Sequence, residues 1–308
     1  MSAVVTAEPQ AEPRELPPLN APTGRWTRFI LPTYTIVMIV YLASPILVMI
    51  LYGFNDVQGV RPSQTPRFWG FTLNWWRNIF APQGLSEAFK NSLIVAPVSA
   101  AVATILGTLF GLAIGRYRFR GLVAVDFVIF LAIAVPEIVL GSSLLSMFVQ
   151  TEFPLGLASI LLSHIGFSIA FVAVTVRARV QGLDRSLEEA AQDLFASPIV
   201  GFIKVTLPLI APSIMAGFLL AFALSLDDFV ITNFVAGQTN TFPLWVWGAQ
   251  RIGIPPQVNV IGTILFGAGI VAALANVFLQ RRRTGEGLRP APRRVPPAAH
   301  VGARDRLS

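Results

Sequence analysis

The sequence predicts an all-α integral membrane protein of six transmembrane helices with both termini in the cytoplasm. Three observations carry this. Hydrophobic residues make up 54% of the 308 positions and charged residues only 13%, against about 25% charged in a soluble domain. Mean hydropathy is +0.65. Six apolar stretches are each long enough to cross roughly 30 Å of hydrocarbon at about 1.5 Å per helical residue.

Residues 1–28 are polar, Pro-rich and mixed in charge, and lack the apolar run of a signal peptide. They read as a disordered cytoplasmic arm. Residues 29–280 form the membrane domain. The first span runs from about Ile30 to Gly53, the second from Ser92 to Gly115 and the third from Leu122 to about Val149. The fourth covers Gly156 to Val176, the fifth Leu209 to Val235, and the sixth Val258 to about Leu279. No period-two alternation competes with helix in these segments. Residues 281–308 form a basic, Pro-rich cytoplasmic tail.

Lys and Arg set the orientation. Of 23 such residues, 18 fall on the side that holds both termini and the loops after spans two and four. That side should be cytoplasmic. The net charge of +7 and the pI near 10.7 therefore reflect topology and do not call for nucleic acid. The outer loop Phe54–Lys90 carries Phe68, Trp69, Phe71, Trp75, Trp76 and Phe80. Such rings belong at the membrane interface, with a short helix expected around Leu73–Phe80. Gly107, Gly111 and Gly115 form a stripe on span two that lets another helix approach.

The chemistry is equally bounded. There are no cysteines and only two histidines, His164 and His300, so thiolate and multi-histidine metal sites are excluded and no metal is expected. HExxH and GxSxG are absent, which leaves no catalytic constellation. The phosphate-binding pattern GxxxxGK[ST] is absent as well, so this chain should bind no nucleotide and no cofactor of its own.

Acids inside spans are costly unless they face protein, water or a counter-charge. Glu137, Asp227 and Asp228 are such acids; Asp126 should reach the interface. Taking the spans as straight helices, Glu137 and Asp227 lie roughly 21–22 Å from the inner boundary, and His164 lies at a comparable level. Clustered acids along a low-dielectric path favour an organic cation. Structural roles, capping or local pairing, are open to each of them, and His164 suits a helix–helix hydrogen bond.

The cytoplasmic loop of about residues 177–207 is rich in Ala, Leu and paired acids. Ser186 and Glu189 have capping-box spacing, so a helix should start there. Leu187, Ala190, Ala191 and Leu194 then share one face, as suits docking into a partner's groove.

The run Glu189-Ala190-Ala191, three residues, Phe195, nine residues, Val205, one residue, Leu207-Pro208 resembles the EAA loop of ABC importer permeases. The motifs Arg116-Tyr117-Arg118-Phe119-Arg120-Gly121, Val135-Pro136-Glu137-Ile138-Val139 and Ser163-His164-Ile165 resemble its spermidine/putrescine branch. So do Ser225-Leu226-Asp227-Asp228-Phe229-Val230, Pro243-Leu244 and Gly253-Ile254-Pro255-Pro256-Gln257-Val258-Asn259. The resemblance implies a type I importer permease fold. It implies that Ser186, Glu188, Glu189, Ala190, Ala191, Asp193 and Leu194 would face a cytoplasmic ATPase, with Leu207-Pro208 turning the chain into span five. It further implies a second permease subunit, an ATPase dimer that binds ATP and Mg, a solute-binding protein outside, and a place in the bacterial inner membrane. The substrate would be a polyamine, with another small amine or an amino-acid-like solute as the alternative. An ion-coupled secondary transporter would need no such loop. Phe195 stands where the family has glycine. Either the turn is remodelled or the ring packs into the ATPase groove.

Overall fold

A computed structural model describes residues 27–57 and 68–287. All regular elements among them are helical, with one isolated bridge between Asn55 and Phe71. The greater part of the predicted arm, and the tail beyond Gly287, lie outside the described residues.

Helix α1 spans Thr27–Tyr52, α2 Asn74–Arg77, α3 Leu85–Arg116, α4 Leu122–Ala134 and α5 Glu137–Gln150. Then come α6 Leu157–Gln181, α7 Ser186–Asp193, α8 Pro198–Gly201 and a π-helical turn Phe202–Thr206. Helices α9 Leu207–Asp227, α10 Val230–Val235, α11 Phe242–Gln250 and α12 Pro256–Gly287 complete the order. Four helical stretches are long and apolar enough to cross a membrane: Phe29–Tyr52, Leu85–Arg116, Leu157–Gln181 and Pro198–Asp227. A fifth is the broken pair α4–α5. The sixth predicted span falls in α12, whose apolar part, as far as it is described, is the shorter Pro256–Val271.

Two spans depart from the straight helices expected. Span three is not one helix from Leu122 to Val149: its axis turns by 103° between α4 and α5. Pro136 has no N–H to donate, and its ring keeps Val135 extended at φ −64°, ψ 130°. Span five does not continue to Val235. It stops at Asp227, Asp228 is extended at φ −62°, ψ 119°, and α10 restarts at Val230. The helical-rise depth of Glu137, computed along an unbroken helix, therefore does not apply.

The core is the packing of α3, α6 and α9. Val172, Val176, Ile210 and Ala221 are buried at its centre. The glycine stripe serves the expected purpose. A Cβ at Gly107 would lie 2.7 Å from Val172 Cβ, and one at Gly111 2.7 Å from the Ala173 carbonyl oxygen. The backbones of α3 and α6 approach too closely for any side chain there.

On the other end of the bundle the aromatic loop is organised more tightly than a loose interfacial belt. Buried Asn55 accepts the Trp69 N–H at its side-chain oxygen (2.7 Å) and the Trp75 indole N–H at its carbonyl (2.7 Å). Phe54 stacks on Phe71 and Trp76 at 5.1 and 5.0 Å. The expected short helix is α2, a single turn.

Candidate functional site

The loop after α6 folds as α7, α8 and the π-turn, and its geometry begins at Asp184. The Asp184 carboxylate accepts the Ser186 N–H at 2.9 Å, a short loop that starts the helix. The backbone N–H of Ser186, then its hydroxyl, hold the Asp184 carboxyl below its ordinary value. The helix starts at Ser186 as expected, but no Ser186–Glu189 capping box forms. Ser186 already lies within the first turn, so its hydroxyl is past the capping position.

Glu188 is turned into the chain. It pairs with Arg116 at the end of α3 and accepts the hydroxyl hydrogen of Thr206 at the foot of α9. Arg185 donates to the Arg116 carbonyl at 3.1 Å, and Arg179 to the Leu209 carbonyl at 3.2 Å. One carboxylate thus ties α7 to two core helices. Neither partner was singled out from the sequence as a site residue. Arg116 stood there only as part of a basic motif, and Thr206, 18 positions from Glu188, carries no local signal.

The end of α7 explains Phe195. The Phe195 N–H donates to the Gln192 carbonyl at 2.8 Å and the Ala196 N–H to the Ala191 carbonyl at 3.0 Å. This is the paired closure in which the intervening residue goes left-handed. Phe195 takes that conformation at φ 62°, at a strain of roughly 1–3 kcal/mol for a residue with a Cβ. The turn has the left-handed form that a glycine would adopt without strain. Its consequence is a phenyl ring held 98% exposed beside Leu194, 82% exposed, with Leu187 also exposed. Glu189, Ala190 and Asp193 are exposed on the same short helix and Ala191 is half-buried. Leu207 and Pro208 start α9 directly after the π-turn.

The intramembrane candidates separate into three places. Asp228 and His164 are buried and joined. Asp228 Oδ2 accepts the backbone N–H (2.8 Å) and hydroxyl (2.7 Å) of Thr232, Oδ1 accepts the Ile231 N–H (3.3 Å), and His164 Nε2 lies 3.2 Å from Oδ2. His164 Nε2 also meets the Thr232 hydroxyl at 3.0 Å, and its Nδ1 the Ser225 hydroxyl at 2.7 Å. Ser225 in turn meets Ser99 at 2.9 Å. The network stitches α3, α6 and α9 together where span five breaks, and the carboxylate satisfies the freed N–H groups of α10. Glu137 is elsewhere. It is exposed in the first turn of α5 and makes no hydrogen bond or ion pair among the described residues. Asp126 is held by Arg177 in a two-pronged ion pair.

Asp227, next to Asp228, points the other way. It is exposed and lines a cavity of about 470 Å³ shared with Phe229, Phe242, Trp247 and Asn259. Phe229 and Trp247 lie 4.6 Å apart. A carboxylate beside aromatic faces is a setting for an ammonium group. The aromatic part of this site was missed in the sequence, because Phe229 beside the break meets Phe242 and Trp247 of α11, a separate segment.

Broken spans, a helical core of apolar spans and an exposed amphipathic helix define the class: a multi-pass helical membrane protein. Residues 107–284 match the family of binding-protein-dependent transport system inner membrane components. The chain is 37% identical over 246 residues to a spermidine/putrescine transport system permease protein of Escherichia coli, covering 79% of this chain and 91% of that one. It is 37% identical over 251 residues to a putrescine transport system permease protein of the same species, covering 78% and 87%. Among solved structures it resembles a bacterial ABC transporter involved in alginate import, with a TM-score of 0.61 at 15% identity over 86% of this chain and 99% of that one. The chain belongs to this family of binding-protein-dependent inner-membrane permeases. It is a multi-pass inner-membrane protein with the fold of an ABC importer permease, a transport subunit and not an enzyme. Membership implies work with another permease, an ATPase and a solute-binding protein.

Proposed function

We propose that the chain forms half of the translocation path of an ATP-driven polyamine importer, with putrescine or spermidine as substrate. The observation that carries this reading is Asp227 in its aromatic cavity, a site of the right charge and chemistry for a small organic cation. The polyamine systems to which the two Escherichia coli relatives belong support the same substrate class. Both termini and α7 lie on the cytoplasmic side. A second, different permease subunit completes the path, a solute-binding protein delivers the substrate, and an ATPase dimer holding ATP and Mg drives alternating access. Glu137, exposed at the bend of span three, is a second contact for the cation. His164 and Asp228 set the shape of the break and do not touch substrate. In the assembled transporter, labelled putrescine import should be displaced by excess spermidine and not by neutral or acidic amino acids. Equal displacement by an amino acid would overturn the substrate class.

The coupling surface is the outer face of α7: Ser186, Glu189, Ala190, Asp193, Leu194 and Phe195, with Ala191 beneath. Glu188 passes motion inward, through Arg116 to α3 and through Thr206 to α9, while Leu207-Pro208 fixes the hinge. The exposed Phe195 ring enters the ATPase groove. Phe195→Gly relieves the left-handed strain yet removes the ring. ATPase binding should weaken by about tenfold or more, the value of one buried phenyl group. Unchanged binding with normal transport would remove Phe195 from the interface.

A further inference from the structure

A cavity of about 580 Å³ opens where α3 ends, α4 begins and α6 ends. Four arginines line it: Arg116, Arg118, Arg177 and Arg185. Two are neutralised, Arg116 by Glu188 and Arg177 by Asp126. Arg118 and Arg185 have no carboxylate partner among the described residues. Two positive charges therefore face one cavity uncompensated. No residue of α7 lines it, so it is separate from the coupling surface.

The wall is not purely polar. Leu122 lines the cavity and starts α4. Beyond it α4 presents Val123, Phe127 and Phe130, each more than 60% exposed. A ligand that fits both parts has an anionic head and an apolar tail. A soluble phosphate would use only the arginines. We infer that this cavity binds the phosphate headgroup of an anionic phospholipid from the leaflet on the α7 side, with an acyl chain along α4. Basic pockets between helix ends at a membrane surface hold such headgroups by the same charge-assisted hydrogen bonds. Because Arg116 is shared between the cavity and Glu188, the bound lipid sits against the brace that anchors α7.

The test uses the whole transporter complex in nanodiscs of phosphatidylethanolamine with or without phosphatidylglycerol, with retained lipid counted by native mass spectrometry. Phosphatidylglycerol should be retained selectively. The double variant Arg118→Gln, Arg185→Gln should lose about thirtyfold in apparent affinity, as expected for two basic residues at a headgroup surface. The double variant Arg118→Lys, Arg185→Lys should keep most of it, which separates lost charge from lost folding. Excess inorganic phosphate should not displace the lipid. Undiminished retention in the Gln variant, equal loss in both variants, or displacement by inorganic phosphate would each overturn the assignment. The readout is lipid retention, so the outcome is independent of which solute is transported.

Discussion

Asp227→Asn is expected to reduce polyamine import by roughly ten- to a hundredfold, the loss of one charge-assisted contact worth about 1.5–3 kcal/mol. The complex should still assemble at normal yield. Asp227 is exposed and, among the described residues, its carboxylate makes no ion pair and no hydrogen bond to another residue, only one to its own backbone N–H, so the fold does not depend on its charge. Its role lies in the cavity with Phe229 and Trp247, where the amide keeps the shape and loses the attraction. Uptake by the reconstituted transporter, measured beside complex yield, checks this. Normal import by the Asn variant would remove Asp227 from the path.

Asp228→Ala should fail in the opposite manner. This carboxylate is buried, accepts three hydrogen bonds from Ile231 and Thr232, and lies against His164. Removing it strands two backbone N–H groups at the start of α10 and the imidazole in a low-dielectric interior. A cost on the order of 3 kcal/mol or more follows from breaking a buried charged network by removing one member. The complex should accumulate poorly and melt at lower temperature. A variant that assembles with normal stability and loses only transport would place Asp228 on the substrate path instead. Two adjacent aspartates are thus predicted to have separable phenotypes, one functional and one structural.

That separation marks what the sequence makes legible and what it does not. Charge scarcity and apolar runs were enough to locate the four long apolar helices and the broken pair α4–α5, because a bilayer demands roughly 20 consecutive apolar residues. Helix α7 was legible because its residues are contiguous, and its start at Ser186 was found to the residue. The bend at Pro136 had a local signal that the rise calculation ignored. The break after Asp227 had none, since no proline or glycine marks it. Which of two neighbouring acids faces a cavity depends on that break, and so does the aromatic wall, which joins Phe229 in the break to Phe242 and Trp247 of α11. The Glu188 brace was likewise hidden, because its partners lie 72 and 18 positions away. Phe195 is the instructive intermediate: the glycine-like position was evident, whereas the left-handed turn with an outward ring follows only from the fold.

The central claim is tested most directly by import into proteoliposomes that hold the complete transporter, with ATP enclosed on the α7 side and the solute-binding protein on the other. Labelled putrescine or spermidine should accumulate only when ATP, the ATPase and the binding protein are all present. Accumulation by this chain alone under an ion gradient, or no polyamine import by the complete system, would contradict the account.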